Sequence, residues 1–391
     1  MKRALHLGDI HPDDGATFAG KTVLDPETGL NQALTDLAKS LDDVLAVATD
    51  AETRCDVALV TGDVFNSPRP HANEVRVIQD FLFRLAKEMP VLVIAGNHDI
   101  SQNANDATAL ECLRGHPGIS VYTAPRAIVL NLDGQPVRFC MLPYPTKSRI
   151  LATLQHQDKS PEEVTALINH GLAAILRNFT AQFEEGIPNI LLAHGSVGNA
   201  TVGDQPRSLA HDILIPIQFC AEFDYVALGH IHQPQQVAKN AWYSGSLMRA
   251  TFGEEHEPKG FNLVEIAPGE PVRVEYLSNP WARKYKTLTM KNVREFEWQS
   301  VSAEHVYRIK DQLTADEYEA AKPMVQKWVD EHPWTQVNLE IVVADRMRDA
   351  GMGQLLTVDE ALTRTLAGKV DEAELPIILE KHHDLMAQQG R

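Results

Sequence analysis

The chain has 391 residues, 44% hydrophobic and 23% charged, and its 36 Lys and Arg against 53 Asp and Glu leave a formal net charge of −17. Disorder, collagen and coiled coil are excluded by that composition, and a length beyond about 250–300 residues calls for more than one core. A protein basic over its whole surface is excluded too, whereas a local basic groove is not, because phosphate binding needs positive charge only where it is concentrated.

The basic start Met1-Lys2-Arg3 runs within a few residues into Gly8, Asp9 and His11, so no signal peptide is expected. No stretch of about 18 uninterrupted apolar residues occurs, which leaves nothing to span a bilayer. Four cysteines, Cys55, Cys112, Cys140 and Cys220, are dispersed without a Cys-x-x-Cys pair. Reduced thiols of a soluble, cytoplasmic protein are the expectation.

In chain order, short apolar runs stop at polar clusters, as buried strands that deliver loops do. Arg3 to Leu7 ends at Gly8-Asp9-Ile10-His11, Asp56 to Thr61 at Gly62-Asp63-Val64-Phe65-Asn66, and Val91 to Ala95 at Gly96-Asn97-His98-Asp99. Leu34, Leu37, Leu41, Val44, Leu45 and Ala48 fall at helical spacing between the first two, and Glu74 to Glu88 reads the same way. The turn signal Asp133-Gly134 before alternating Val137, Phe139 and Met141 predicts an antiparallel hairpin with one polar face. Ile190 to Ala193 ends at His194-Gly195, and Tyr225 to Leu228 at Gly229-His230-Ile231-His232. Strand runs Gly260 to Ile266 and Val272 to Leu277 complete an expected α/β sandwich of two sheets flanked by helices, over residues 1–279.

Near Pro280 the polar clusters stop. Strands Tyr285 to Leu288, Val306 to Ile309 and Val337 to Val343, with a helix Ala315 to Asp330, predict a small α/β capping domain over 280–348. Helical segments Val358 to Leu366 and Glu372 to Ala387 predict a C-terminal helical hairpin within 349–391.

Ligands of open α/β sheets bind beyond the carboxyl ends of the strands, where all five clusters lie. They supply Asp9, His11, Asp63, Asn97, His98, His194, His230 and His232, a mixture of oxygen and imidazole donors suited to Mn, Fe or Zn. So many donors exceed the needs of one ion, and a carboxylate such as Asp63 can bridge two. A lone Asp-x-His is more often an accident of surface or core than a ligand. Five clusters in fixed order, each ending an apolar run, point to a dinuclear centre.

Asp-x-His, Gly-Asp-Val-Phe, Gly-Asn-His-Asp, Ala-His-Gly and Gly-His-Ile-His resemble the motifs of the calcineurin-like metallophosphoesterase superfamily. Gly62 to Pro70, Ala227 to His232, Tyr243-Ser-Gly-Ser-Leu247, Phe252-Gly-Glu-Glu and Lys259-Gly-Phe261 further resemble the SbcD family of DNA repair nucleases. The resemblance implies that Asp9, His11, Asp63 and His232 hold one ion and Asp63, Asn97, His194 and His230 the other. Mn is the implied metal, with Mg, Fe or Zn as alternatives. It also implies that His98 serves as general acid or charge stabiliser for the departing 3′-oxygen, with Asp99 either orienting it or capping a helix.

By the same resemblance the substrate is DNA, the capping domain grips it, the chain dimerises near Glu74 to Glu88 and Ala104 to Leu113, and the terminal hairpin clasps an SbcC-like ATPase. Packing of those helices on their own sheet, and of the hairpin on its parent domain, are the plainer alternatives. Trp281 to Arg294 is the strongest basic run, with Arg283, Lys284, Lys286, Lys291 and Arg294 and no acid. Arg69, Lys147, Arg149, Arg207 and Arg249 are weaker candidates for phosphate contact. Asn66 stands where relatives usually carry Asp or His to align the DNA end, which leaves the balance of exonuclease and endonuclease action open. Pro12 to Gly29 is longer than in relatives. A phosphoprotein phosphatase, a cyclic nucleotide phosphodiesterase, or a catalytically silent scaffold of the same fold are the competing readings.

Overall fold

Runs of Val, Leu, Ile and Ala form strands buried on both faces, because helices cover one side and a second sheet covers the other. The structure, a computed structural model, describes residues 1–15, 22–101, 107–145, 161–202, 205–206, 214–295, 305–332 and 334–341. The first sheet runs in the order β16 (Arg273–Ser278), β15 (Gly260–Ile266), β1 (Lys2–Leu7), β2 (Val57–Val60), β3 (Val91–Ile94), β4 (Ile119–Tyr122). Strands β1 to β4 are parallel, while β15 and β16 pair antiparallel at one margin.

The second sheet runs β13 (Gln235–Ala238), β14 (Ala241–Tyr243), β12 (Tyr225–Gly229), β7 (Asn189–His194), β6 (Gln135–Leu142), β5 (Arg126–Leu132). Its centre, β14 to β6, is parallel and its margins are antiparallel. Two-residue strands β8 (Ser196–Val197), β9 (Thr201–Val202), β10 (Gln205–Pro206) and β11 (Leu214–Ile215) pair as β8 with β11 and β9 with β10. The expected two-sheet α/β sandwich is what the chain forms.

Alternation along each strand assigns the layers. Leu5, Leu7, Ala58 and Val60 pack with helices α1 (Gln32–Thr49) and α2 (Ala72–Glu88). Ala4, Val57, Leu59 and Leu92 face Val137, Phe139, Ile190 and Tyr225 across the space between the sheets. Helix α3 (Pro161–Thr180) covers the far side of the second sheet through Ile168, Leu172 and Leu176. The hairpin joining β5 and β6 turns on Asp133 and Gly134, with φ of 43° and 86°, as a two-residue turn of this hand requires. The expected polar face of β6 is absent: Arg138 and Cys140 are buried like Val137 and Phe139, because α3 lies over that side.

Side chains cap the helices that carry these layers. Asn31 accepts from the Ala33 amide at 3.0 Å at the start of α1. Glu74 reaches back to the His71 amide at 2.7 Å at the start of α2, and its other oxygen takes the Asp14 amide at 2.8 Å. The start of the long segment after His11 is thereby tied to both helix beginnings, since Asn31 Nδ2 also donates to the Asp14 carbonyl at 3.1 Å.

Beyond Pro280, a three-stranded sheet in the order β17 (Tyr285–Leu288), β18 (Val306–Leu313), β19 (Thr335–Ile341) accompanies helices α4 (Met290–Glu295) and α5 (Ala315–Glu331). One compact unit comprises Met1–Asp311 and Glu319–Glu340. The predicted terminal hairpin, Lys147, Arg149 and Arg207 lie outside the described residues. Of the helix predicted from Ala104, the described part is a short 3-10 turn, Ala109–Leu113. No described helix is long and apolar enough to cross a membrane.

One polar pin crosses between the sheets. His6 is fully buried on β1, with Nδ1 2.7 Å from the Tyr225 hydroxyl and Nε2 3.2 Å from the Leu228 carbonyl, both on β12. Burial drives its pKa down to about 3, so the ring is neutral at physiological pH. Tyr225→Phe removes the partner of a buried nitrogen and is expected to cost about 1–3 kcal/mol in urea denaturation, the price of an unsatisfied buried polar group. An unchanged midpoint would show that the pin contributes nothing.

Candidate metal centre

Five strand ends from the two sheets deliver the candidate donors. β1 leads into Asp9 and His11, β2 into Asp63, β3 into Asn97 and His98, β7 ends on His194, and β12 leads into His230 and His232. The backbone turns sharply there. Asp9, His11, Asp63 and His230 have φ of 51°, 45°, 49° and 103°, and Asp133 of the hairpin is the only other described non-glycine residue with positive φ. Such conformations cost on the order of 1–3 kcal/mol each and persist only where surrounding structure imposes them. Here the Asp9 amide donates to the Gly62 carbonyl at 3.1 Å and the Ile10 amide to the Asp63 carbonyl at 3.0 Å, locking the first two loops together. Gly96 is required at its place, because a Cβ there would lie 2.1 Å from Asp63 Oδ1 and 2.2 Å from its amide nitrogen.

Asp63 stands at the middle. Its Oδ2 lies 3.5 Å from His11 Nε2 and 3.4 Å from His194 Nε2, while Oδ1 accepts the His98 amide at 2.8 Å. On one side Asp9, His11 and His232 bring donor atoms within 4.8 Å of one another, and on the other Asp63, His194 and His230 do the same. Asn97 Oδ1 joins the second set, 3.1 Å from His194 Nε2 and 2.8 Å from His230 Nδ1. His194 Nδ1 is committed to the Thr61 carbonyl at 2.7 Å, so that nitrogen carries the proton and Nε2 is the one turned toward Asn97 and Asp63. Both ring nitrogens of His11 are buried with no hydrogen-bond partner. Lone pairs gathered against lone pairs, with a buried imidazole left unsatisfied, are what a site for cations requires.

The model of the calcineurin-like phosphoesterase family matches residues 2–234. The chain belongs to the calcineurin-like phosphoesterase family. Membership makes it a metal-dependent hydrolase of phosphoesters that uses a dinuclear divalent site, and the donors present fit that requirement. One solved crystal structure is similar at TM-score 0.38 and 13% identity, over 71% of this chain and 99% of that chain. Thermus thermophilus sulfate thiohydrolase SoxB in complex with glycerol is similar at TM-score 0.30 and 12% identity, over 71% of this chain and 56% of that chain.

The charges of this phosphoesterase centre balance internally. Burial pushes the Asp9 carboxyl up to about 6, against the pull of His194 and His232 and with the Asp63 charge adding to it. Burial acts on Asp63 in the same sense, but His194, His11 and the His98 amide outweigh it and hold that carboxyl far below its usual range. Burial also opposes charge on His194, yet Asp63, Asp9 and the Thr61 carbonyl raise it to about 9. His11, where burial dominates, falls to about 3.

The expected neighbours of this core are arranged differently from the sequence reading in two respects. Asp99 does not meet His98: its carboxylate accepts the amides of Val64 at 3.2 Å, Phe65 at 2.9 Å and Gly96 at 2.9 Å, and no helix begins there. It staples the loops after β2 and β3, and a short acid beside a turn prefers bare backbone N–H groups. His98 is exposed and its Nδ1 is held instead by the Asn66 carbonyl at 3.1 Å.

Arg283 also has other partners. Its guanidinium pairs with Asp36 of α1, Nη2 to Oδ1 at 3.1 Å, and lies 3.5 Å from the centroid of the Trp334 ring. Lys284, Lys286, Asn66 and Arg69 are exposed.

A pocket of about 290 Å³ opens beside the donors, walled by Asp9, His11, Asn66, His98, His232, Arg249, Arg283 and Tyr285 with Leu37 and Met248 as apolar lining. Tyr144, missed in the sequence, sets its ring against His194 and His230 at centroid distances of 6.1 and 5.9 Å. The signal was there, since it follows the apolar run of β6 as the donors follow theirs.

Because His194 must shed a proton to offer Nε2, cation affinity is low while it is protonated and rises as pH climbs toward about 9. Calorimetric Mn titrations from about pH 6.5 to about pH 8.5 in buffers of different ionisation enthalpy should show tightening affinity and proton release. Affinity independent of pH would contradict the assignment of His194. Asp63→Ala should abolish binding of both ions, read as stoichiometry in the same titration, whereas retention of one ion would remove Asp63 as the bridge.

Proposed function

We propose that this phosphoesterase is a Mn-dependent DNA nuclease, the SbcD-like subunit of a complex that processes DNA ends and hairpins with an SbcC-like ATPase. The observation that carries the reading is where the Tyr243 to Phe261 segment goes. Its SbcD-like residues are built into the back of the centre: Glu254 Oε1 lies 3.1 Å from His232 Nδ1, and Lys259 Nζ 3.3 Å from the His232 carbonyl. A segment that resembles SbcD nucleases thus contacts a candidate donor rather than decorating the surface. The pocket of about 290 Å³ in front extends from His98 to Arg283 and Tyr285, a concave site next to the donors.

In this reading Asp9, His11, Asp63 and His232 hold one ion, and Asp63, Asn97, His194 and His230 the other. When bound, two divalent ions supply Lewis acidity to the phosphoryl oxygens and acidify water into a nucleophile. His98 acts at the leaving oxygen. Its Nδ1 is held by the Asn66 carbonyl, which fixes the ring and leaves Nε2 as the nitrogen that can serve the departing 3′-oxygen. Asn66 thereby contributes through its backbone whatever its side chain does at the DNA end. Exposed Lys284 and Lys286, with Arg69, take the phosphates that flank the cleavage point, and residues 280–348 form the capping domain that presents the first two. The segment 349–391 holds the ATPase, and the chain pairs with a second copy through the region of α2.

Purified protein with Mn should degrade linear and hairpin DNA and leave a phosphoprotein untouched. Dephosphorylation of the protein substrate without DNA cleavage would overturn the nuclease reading. His98→Ala should bind Mn normally while cleavage falls by about 10²–10⁴-fold. Full activity in that variant would remove His98 from the chemistry. Truncation after residue 348 should abolish capture of the ATPase while hydrolysis of a small phosphodiester continues, and undiminished capture would sink the clasp.

A further inference from the structure

The side chains behind His232 form a buried ionic chain. Glu254 Oε1 faces His232 Nδ1 at 3.1 Å, and Glu254 Oε2 accepts from Lys259 Nζ at 2.7 Å and from the Ala250 amide at 3.2 Å. Lys259 Nζ also reaches Glu257 Oε2 and Ser246 Oγ, both at 3.0 Å, and the His232 carbonyl at 3.3 Å. The Lys259 side chain has no exposed surface and that of Glu254 is 10% exposed.

Burying a lysine between two carboxylates is a poor device for stability alone, since desolvation rivals the attraction and apolar residues of similar volume do as well. What the chain achieves is orientation. Lys259 grips both the carboxylate that meets the His232 ring and the carbonyl of the same residue, so ring and backbone are fixed together. With Nδ1 turned to Glu254, Nε2 is the nitrogen left for the cation. The opposite side of the centre is supported differently, because His194 Nδ1 rests on the neutral Thr61 carbonyl. A carboxylate behind an imidazole makes its far nitrogen more basic than a carbonyl does. His232 and His194 are therefore supported unequally.

We propose that Glu254 and Lys259 are positioning residues for His232, which hold its Nε2 on the Asp9 and His11 half of the centre, so that weakening them empties that half selectively. The proposal rests on the two-ion reading above. It is tested with Mn alone on the full chain, by calorimetry and electron paramagnetic resonance, without DNA.

Wild-type protein should take two Mn ions and show a spin-coupled spectrum at two equivalents. In Glu254→Gln, affinity for one ion should fall about 10–100-fold with the other unchanged, and the spectrum at two equivalents should be that of isolated ions until excess Mn restores coupling. Lys259→Met should shift the same ion in the same direction, and Lys259→Arg should recover part of the loss. Should Glu254→Gln fail to fold, Glu254→Asp keeps the charge but draws the carboxylate back from Nδ1, and selective weakening of one ion supports the proposal. Two wild-type affinities in whichever of these variants folds overturn it. Wild-type protein that binds fewer than two ions overturns the two-ion reading itself, a result distinct from failure to cleave DNA.

Discussion

Asp63 Oδ2 sits 3.4–3.5 Å from one imidazole nitrogen of each sheet, His11 on the first and His194 on the second. Around it acceptors face acceptors, and in the absence of a cation only protons relieve them. The elevated pKa of His194 and the depressed one of Asp63 are two aspects of that relief. Divalent cations do the same with more charge and fixed geometry, which is why a metal-dependent hydrolase can be built from side chains that would otherwise repel or lie unsatisfied.

Holding such a cluster constrains the fold around it. Four of its donors, Asp9, His11, Asp63 and His230, sit at left-handed backbone positions, conformations that unconstrained loops would relax. Asp99 resists that relaxation from below, tying the amides of Val64, Phe65 and Gly96 into one carboxylate. Burial, and after it the charge of Asp63, raises the pKa of Asp99 to about 7, opposed by the same three amides. Further down, the His6 to Tyr225 contact joins β1 to β12, the two strands that lead to Asp9 and His230. The strain at the rim is balanced by a core packed on both faces of both sheets.

The donors were legible because each directly follows an apolar run, and a strand end is a local event that needs no knowledge of the partner sheet. The helices α1 and α2 were legible from spacing alone. What escaped depends on contacts far apart in the chain. The far face of β6 looks polar in sequence until α3 is laid over it. Asp99 beside His98 suggests an acid–histidine pair, but the turn directs its carboxylate onto amides from a loop 35 residues earlier. Glu254 and Lys259 lie on a loop whose meaning appears only when it folds against His232, 22 residues from Glu254.

Charge shows the same dependence on folding. The sequence presents Arg283 and Arg249 as free cations on an otherwise acidic chain of net charge −17. In the fold Arg283 answers Asp36 and Trp334, and Arg249 donates to the carbonyls of Ala282, Arg283, Glu254 and Glu257. Both line the pocket, but their donors are spent on holding its wall together. Positive potential at the reacting phosphate then has to come chiefly from the bound ions, about +4 for two divalent cations. In a pocket so constructed the charge that meets a phosphoester is chiefly that of the ions, so the acidic average of the chain is no obstacle to an anionic substrate.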